Sequence, residues 1–377
     1  MVDHNILSVT QNLHTWFRYH EYRGIDPYQI DEKAFGIIKK FPVMANLRSI
    51  LKPFHSLIPK SAFQTMRPIY HPKAIALIIS ANARLYQITK DETFLDEIGN
   101  LLNILFTLRN KEYKNICWGH PFEWGRDPRY PVNSPLVCVQ APIAHCLLDC
   151  YEITKNQYSF ELFKNSVQYL LEETQIDFFD GYASFHNSPL ERQYVHNSNI
   201  MAASLLYRSQ IYFREERLKQ LADQLTHYTL AAQNSDGSWK YADTSATIDN
   251  RHTGFVLSSL AQIFQLTGDV DVKESLTVGL NYYKDNLFED YIPKWAPDQT
   301  YPVDIHDVAQ SIITFTDVGD MTFARKIIDF SLTQMFNGKD EFYYKLSRSG
   351  KVNKTAFIRW GQAWMFIALS KYLEKRD

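Results

Sequence analysis

Two kinds of helical segment alternate along most of the sequence, and this alternation constrains the fold more than any other feature. One kind is amphipathic: in residues Arg214 to Leu230, apolar side chains recur at intervals of three and four residues, with charges on the other face. The other kind is apolar nearly all round and rich in small residues, as in Thr253 to Phe264. Because a helix without a polar face must be covered on every side, we expect these apolar segments to lie inside the molecule.

The apolar segments recur at a long and regular interval. Six of them begin, about 52 to 63 residues apart, near Pro72, Pro135, Ser198, His252, His306 and Arg359. A short turn and an amphipathic helix follow, which requires antiparallel neighbours. We therefore predict an all-α fold, an (α/α)6 toroid with six buried inner helices and an outer ring. We expect residues 60–377 to form this domain and residues 1–59 to form a helical extension packed on it, with Asp31 to Leu51 as a candidate for the remaining outer helix.

Charge and hydropathy exclude several classes of protein. The formal net charge is −2 and the isoelectric point is near 6.6, so no overall field attracts nucleic acid, and we expect no nucleic-acid partner. No window approaches 18 uncharged apolar residues, so we expect no membrane span. The first residues lack the basic and apolar regions of a signal peptide, which favours a cytoplasmic location.

The four cysteines are too few for a disulfide scaffold and lie close together in the sequence, at Cys117, Cys138, Cys146 and Cys150. One interpretation is that Cys146 and Cys150, four residues apart on one predicted helix, share a soft metal with Cys117 and His120 or His145. No spacing typical of a zinc site is present, however, so small apolar residues in an apolar helix are the favoured interpretation. We predict neither a metal nor a cofactor.

The connections that precede the inner helices are long and aromatic, and they all belong at one mouth of the barrel. Loops of this length in a compact fold are usually functional, so this mouth is the expected site. Asp249 precedes His252, and Asp304 precedes His306, at two inner-helix starts. We predict the two aspartates as an acid/base pair and the two histidines as their proton-handling or orienting partners. The alternative is that the aspartates cap the helices and form ion pairs that tie loops to helices.

Other polar and aromatic residues of the mouth are candidates for substrate binding. Aromatic faces stack on the apolar faces of sugar rings or on prenyl chains, so tryptophans in these loops are predicted as walls of the site. The alternative for each is core packing between loop and barrel. The candidate binding residues are Trp118, His120, Glu123, His196, Trp239, Tyr241, Arg251, Asp307, Arg359 and Trp360.

Several motifs resemble those of known α/α toroids. Gln233 to Trp239 resembles the repeat motif of squalene-cyclase-like toroids, and Asp249 to Gly254 is similar to a segment of (α/α)6 sugar-processing enzymes. A second resemblance, to a family of toroids associated with bacterial capsule and surface-polysaccharide synthesis, is carried by Gly24–Tyr28, Trp118–Phe122, Asp249–Gly254, Asp304–Gln310 and Arg359–Trp364. The resemblance spans most of the chain and implies a carbohydrate context.

The sequence lacks motifs that define other families of α/α toroids, which reduces the number of families it resembles. The DxDD acid of class II terpene cyclases and the DDxxD metal motif are absent, as is a recognisable zinc site like that of lanthionine cyclases. Unsaturated glucuronyl hydrolases share the barrel and work through single aspartates at the mouth, which Asp249 or Asp304 could imitate.

The leading hypothesis is an enzyme acting on a glycan or uronate-containing oligosaccharide in surface-polysaccharide synthesis or trimming, as a hydrolase, lyase or epimerase. Hydrolysis of a glycosidic bond needs a placed acid and a base or nucleophile. Lyase or epimerase chemistry needs a base near a carboxylate whose charge an arginine neutralises, and Arg251 and Arg359 are the candidates for that arginine. The alternatives are a toroid with a prenyl substrate and a non-catalytic glycan-binding subunit of a polysaccharide assembly complex.

Overall fold

In the part of the chain that the structure describes, twelve α-helices alternate between an inner and an outer ring. The computed structural model describes residues 4–29, 66–125 and 129–376, and all structural statements concern these residues. The helices are α1 His4–Tyr19, α2 Pro72–Thr89, α3 Thr93–Thr107, α4 Val137–Thr154, α5 Gln157–Glu172, α6 His196–Phe213, α7 Glu216–Ala231, α8 Asn250–Thr267, α9 Val270–Asn286, α10 Ile305–Asp317, α11 Met321–Gln334 and α12 Trp364–Arg376. A π-helical segment, Ile358–Ala363, leads directly into α12.

The even-numbered helices form a closed ring. Each packs on the next one in the chain, and α12 packs back on α2. The odd-numbered helices lie outside this ring, each against an inner neighbour. The (α/α)6 toroid predicted from the sequence is therefore confirmed. Five inner helices begin within two residues of the predicted starts, and near the sixth predicted start, Arg359, the π-helical segment that leads into α12 begins.

The inner helices are buried because little of their surface is polar. In α2 every residue from Pro72 to Leu85 is buried. Four inner helices end in a left-handed residue whose backbone N–H bonds the carbonyl four residues earlier: Lys90, Lys155, Arg214 and Gly268. This cap reverses the chain within a few residues, so the next helix runs antiparallel on the outside.

The outer helices bury one face only. In α3 the buried residues are Phe94, Ile98, Leu101, Leu102 and Leu105, which share one side of a helix. The sixth outer position belongs to α1, which packs on α12. The candidate outer helix at Asp31 to Leu51 lies outside the described residues.

Short antiparallel strands lie in the connections that lead into the inner helices. They are β1 Trp124–Gly125, β2 Arg129–Tyr130, β3 Ile176–Phe179, β4 Tyr182–Phe185, β5 Phe288–Glu289, β6 Ile292–Pro293, β7 Val303–Asp304, β8 Lys345–Leu346 and β9 Val352–Asn353. They pair as β1 with β2, β3 with β4, β5 with β6, and β7 with β8 with β9. In the last sheet Asp304 lies opposite Lys345, which places a cation beside the start of α10.

Candidate functional site

All inner helices begin at the same end of the toroid, because consecutive helices are antiparallel. We call this end the mouth: it consists of the first turns of the even-numbered helices and the connections that precede them. The first turns supply polar side chains and unpaired backbone N–H groups to a common space. The predicted site residues fall at this end, but the structure gives them different roles.

Asp249 and His252 form a hydrogen-bonded pair at the start of α8. Asp249 Oδ1 accepts the backbone N–H of His252 at 2.9 Å, and Oδ2 lies 2.6 Å from His252 Nδ1. Burial alone would raise the pKa of Asp249, but the charge and hydrogen bonds of His252 lower it to about 2. Because an ionised carboxylate only accepts, the imidazole carries its proton on Nδ1. Nε2 makes no hydrogen bond to a described residue, and 27% of the side chain is exposed.

Asp304 and His306 do not form the expected partnership. Asp304 is fully buried, and its Oδ1 accepts the backbone N–H of His306 at 2.9 Å and Nε1 of Trp360 at 2.8 Å. Neither ring nitrogen of His306 has a hydrogen-bond partner, and the ring lies 4.9 Å from Trp364. Burial, followed by the charge of Arg251, holds the pKa of His306 well below its usual value. The contacts of Asp304 are those of a helix cap that also anchors an indole.

Two arginines at the mouth are paired with carboxylates. Arg359 binds Asp26 through two bonds, Nε to Oδ2 at 2.7 Å and Nη2 to Oδ1 at 2.8 Å, and both side chains are buried. Arg251 lies over the ring of Trp360 at 4.6 Å, and its Nη1 is 3.2 Å from Asp307 Oδ1. Burial raises the pKa of Asp307 well above its usual value despite the charge of Arg251. Four aspartates of the mouth are thus engaged by a cation, an imidazole or a helix start.

The first turn of α2 and the loop after α1 add residues that the predicted site did not include. The Lys73 ammonium is buried and donates to the carbonyl of Cys138 at 2.5 Å, and burial lowers its pKa to about 8. The ring of Tyr28 stacks on Trp124 at 5.8 Å and meets the edge of Trp360 at 5.2 Å. Asp26 and Tyr28 lie in the motif Gly24–Tyr28, so a signal for them existed. Nothing in the sequence distinguishes Lys73 from an exposed lysine.

Two tryptophans predicted as walls are core residues, which corrects the expectation. Trp118 is fully buried, and its Nε1 donates to the carbonyl of Leu105 at 2.8 Å. Trp239 is 2% exposed, and its Nε1 donates to the carbonyl of Thr229 at 3.0 Å. Both indoles join a connection to the outer helix before it, so neither offers a face to a ligand.

The remaining predicted binding residues stay near the mouth. His196 begins α6 with its ring against Tyr228, and burial lowers its pKa. Tyr241 is half-buried with its ring centroid 4.6 Å from that of His252. Glu123 is half-buried just before β1. His120 is buried and hydrogen-bonded to His71.

A cavity of about 490 Å³ lies at the other end of the toroid, between the middle of the inner helices and their C-terminal ends. Phe255 and Trp364 line it, and both rings also contact His306 in the first turn of α10. Three of the cations that line it are paired: Arg84 and Arg208 both lie 2.9 Å from Asp149, and Lys371 lies 2.7 Å from Asp317. We therefore take the mouth, where the predicted polar residues lie, as the candidate site.

The remaining features to consider are metal-binding clusters, cysteines and membrane-spanning helices. Among the described residues, no cluster of three or more His, Cys, Asp or Glu side chains is arranged to hold a metal ion. The four cysteines are free thiols, and burial raises the pKa of Cys146 to about 12. Within residues 4–29, 66–125 and 129–376, no helix has the length and apolar character needed to cross a membrane.

Several solved structures similar to this one are sugar-processing enzymes, whereas no protein-family model and no curated protein matches the sequence. Cellobiose 2-epimerase of Bacillus thermoamylovorans is 14% identical, with a TM-score of 0.65 over 82% of this chain and 88% of that one. The GH76 α-mannanase of Bacteroides thetaiotaomicron is 14% identical, with a TM-score of 0.63 over 80% and 86%. An unsaturated glucuronyl hydrolase specific for heparin is 14% identical, with a TM-score of 0.62 over 83% and 89%. At this level of identity the likeness establishes the shared (α/α)6 fold.

Proposed function

We propose that this protein is a carbohydrate-active enzyme that moves a proton on a sugar carbon next to a carbonyl group, as an epimerase or isomerase. The proposal rests on the hydrogen bonds at the mouth. Nε2 of His252 makes no hydrogen bond to a described residue, whereas the four aspartates described there already contact a cation, an imidazole or a helix start. An imidazole oriented by a carboxylate is a suitable general base near neutral pH. Toroids with similar folds include sugar epimerases, which supports this choice.

The step balances without an oxidant or reductant. Nε2 of His252 takes the proton from the carbon next to the carbonyl, the C–H electron pair forms a C=C bond, and the carbonyl oxygen takes up the displaced pair. The proton then returns from the imidazolium to the same carbon after the intermediate has turned over in the site, which gives an epimer. Alternatively it adds to the former carbonyl carbon while the neighbouring hydroxyl passes its proton to the negative oxygen, which gives an isomer. Asp249 stabilises the imidazolium between the two steps.

Deuterium exchange tests this proposal directly. The purified protein would be incubated in D₂O with reducing mono- and disaccharides, including fragments of surface polysaccharides, and followed by ¹H NMR. We expect exchange at the carbon next to the carbonyl, and His252→Gln should lower its rate by about 10²- to 10⁴-fold. His227→Gln, on the exposed face of α7, is the matched control and should exchange at the wild-type rate. Absence of exchange across the panel would refute the proposal.

A glycoside hydrolase is the second candidate, and Asp307 supports it. Burial raises the pKa of this carboxyl well above its usual value, as a general acid requires. Its position 3.2 Å from Arg251, at 2% exposure, opposes that role. Release of new reducing ends without deuterium exchange would favour the hydrolase.

The other two hypotheses have less support. A prenyl substrate needs a deep apolar cavity, but the cavity inside the barrel is lined by charged residues such as Arg84 and Asp149. A non-catalytic binding subunit should bind oligosaccharide without exchange or cleavage, which the same experiment detects. The surface-polysaccharide context rests on the motif resemblance alone.

A further inference from the structure

A second imidazole pair lies at the mouth, apart from Asp249 and His252. His71 precedes α2, and its Nε2 is 3.0 Å from Nδ1 of His120 in the connection before α4. Both side chains are buried, with exposures of 0% and 3%. A hydrogen bond between two rings fixes which of the four nitrogens carry protons, provided that one further contact defines its direction.

That further contact is a backbone N–H. The amide of Lys73 donates to Nδ1 of His71 at 3.2 Å, as part of the N-terminal cap of α2. An amide N–H can only donate, so Nδ1 of His71 holds a lone pair. In a neutral ring the proton must then sit on Nε2 of His71, which donates to Nδ1 of His120. The proton of a neutral His120 is consequently on Nε2.

Both rings are neutral near pH 7. Burial is the main reason that their pKa values lie well below the usual range, and the charges of Arg359 and Lys73 act in the same direction. A proton added to either ring would face these two cations in a buried site. The tautomers assigned by the hydrogen bonds therefore persist across the neutral range.

His120 and His252 present opposite functions to the mouth. Nε2 of His120 makes no hydrogen bond to a described residue, and the ring is held by Phe122, stacked at 5.5 Å, and by Trp124, edge-on at 5.1 Å. Its Nε2–H is therefore a donor awaiting an acceptor. His252 has its proton on Nδ1, directed at Asp249, so its Nε2 is an acceptor. A proton-transfer site needs one group of each kind.

We propose that His120 donates a hydrogen bond from Nε2 to the substrate oxygen that becomes negative when His252 removes the carbon-bound proton, and that His71 is the positioning residue that holds His120 in this tautomer. This assignment rests on the proposed function of the same site. His120 keeps its proton throughout, because losing it would leave an imidazolate. It therefore stabilises the oxygen by hydrogen bonding, as a donor of an oxyanion hole does.

The tautomer can be measured without substrate. In protein labelled with ¹⁵N-histidine, side-chain nitrogen shifts distinguish Nε2–H from Nδ1–H, and His71→Leu and His120→Gln assign the signals. We expect Nε2–H for both buried rings, unchanged between pH 8 and pH 5.5, with exposed His227 as the internal reference. In His71→Leu, we expect His120 to populate both tautomers. An Nδ1–H form of His120 in the wild-type protein overturns the inference.

Activity then tests the role of the donor. The glutamine side chain places an N–H near the Nε2 position and that of asparagine does not, so His120→Gln should retain about 10- to 100-fold more kcat than His120→Asn, since one such donor is worth about 10²- to 10³-fold. His71→Leu should lower kcat with little change in KM, as expected when an interaction made only in the transition state weakens. Equal kcat values for the glutamine and asparagine variants overturn the role of His120.

The two proposals fail in distinguishable ways. An Nδ1–H tautomer of His120 together with normal deuterium exchange refutes only the donor assignment. The expected tautomer without any exchange in the wild-type protein refutes the proposed function, and the donor role falls with it. Circular dichroism of each variant identifies any loss of activity that is due to unfolding.

Discussion

The buried ion pair between Asp26 and Arg359 should be among the most costly to break in this protein. Asp26 has 0% exposure and Arg359 has 3%, and two charge-assisted hydrogen bonds of 2.7 and 2.8 Å join them. Asp26 also accepts the backbone N–H of Tyr28 at 3.0 Å, which fixes the loop after α1. The pair links this loop to the segment that begins the last inner helix.

Removing the carboxylate leaves a cation in the interior without a partner. An arginine cannot lose its proton in the pH range of a folding experiment. In Asp26→Ala the charged Arg359 therefore stays buried, and nothing offsets the free energy needed to remove it from water. We expect this variant to lose about 3 to 5 kcal/mol of unfolding free energy. The double variant Asp26→Ala, Arg359→Met should regain much of that loss, because it removes the unpaired charge and keeps an apolar side chain of similar length.

Urea unfolding followed by circular dichroism measures these differences. The control is Glu161→Ala, which breaks a surface pair with Lys164 at 2.7 Å and should cost less than about 1 kcal/mol. The argument from the unpaired charge is wrong if Asp26→Ala loses no more unfolding free energy than Glu161→Ala. It is also wrong if the double variant loses as much as the single variants Asp26→Ala and Arg359→Met added together.

Three further outcomes follow from the environments of single side chains. His145 has its pKa lowered to about 4, mainly by burial, against about 6.5 in an unfolded chain, so wild-type stability should fall as pH drops from about 6.5 to 4. Thermal midpoints of His145→Gln should show a shallower fall in that window. The pKa of Asp249 is about 2 when folded and about 3.9 when unfolded, so its contribution is present above pH 4 and lost towards pH 2; Asp249→Asn should lack this acid-limb loss. Gly279→Ala places a Cβ 2.5 Å from the Trp239 ring and should cost about 1 to 3 kcal/mol, whereas Gly99→Ala meets nothing within 4 Å and should stabilise its helix by about 0.5 to 1 kcal/mol. Equal urea midpoints for the two alanine variants would contradict the packing argument.

The inner helices were predictable because their signal is strong and local. A helix that is apolar all round must be covered on every side, and the turn that follows each one is short, so the number and the order of the inner helices follow from the sequence. The starts at Ser198 and His252 were placed two residues late, since His196 and Asn250 open those helices. The strands have no comparable sequence signal, because seven of the nine have two residues and the other two have four, which is too short for a clear period.

The site was predictable only where its partners are close in the sequence. Asp249 and His252 are three residues apart, and their bond follows from the geometry of a first helical turn. The partner of the Asp304 side chain is instead the indole of Trp360, on another helix. The partner of Arg359 is Asp26, 333 residues away. No local pattern indicates either contact, because closure of the barrel brings these residues together.

The packing of α1 on α12 has a consequence for synthesis of the chain on the ribosome. Phe17 of α1 contacts Phe366 of α12, with ring centroids 5.3 Å apart, so an early segment must wait for one of the last to be translated. At about 5 to 20 residues per second, this delay lasts tens of seconds, during which the faces of α1 and α2 that pack on α12 have no native cover. Nascent chains that stop before residue 358 should therefore bind hydrophobic-segment chaperones and aggregate when released.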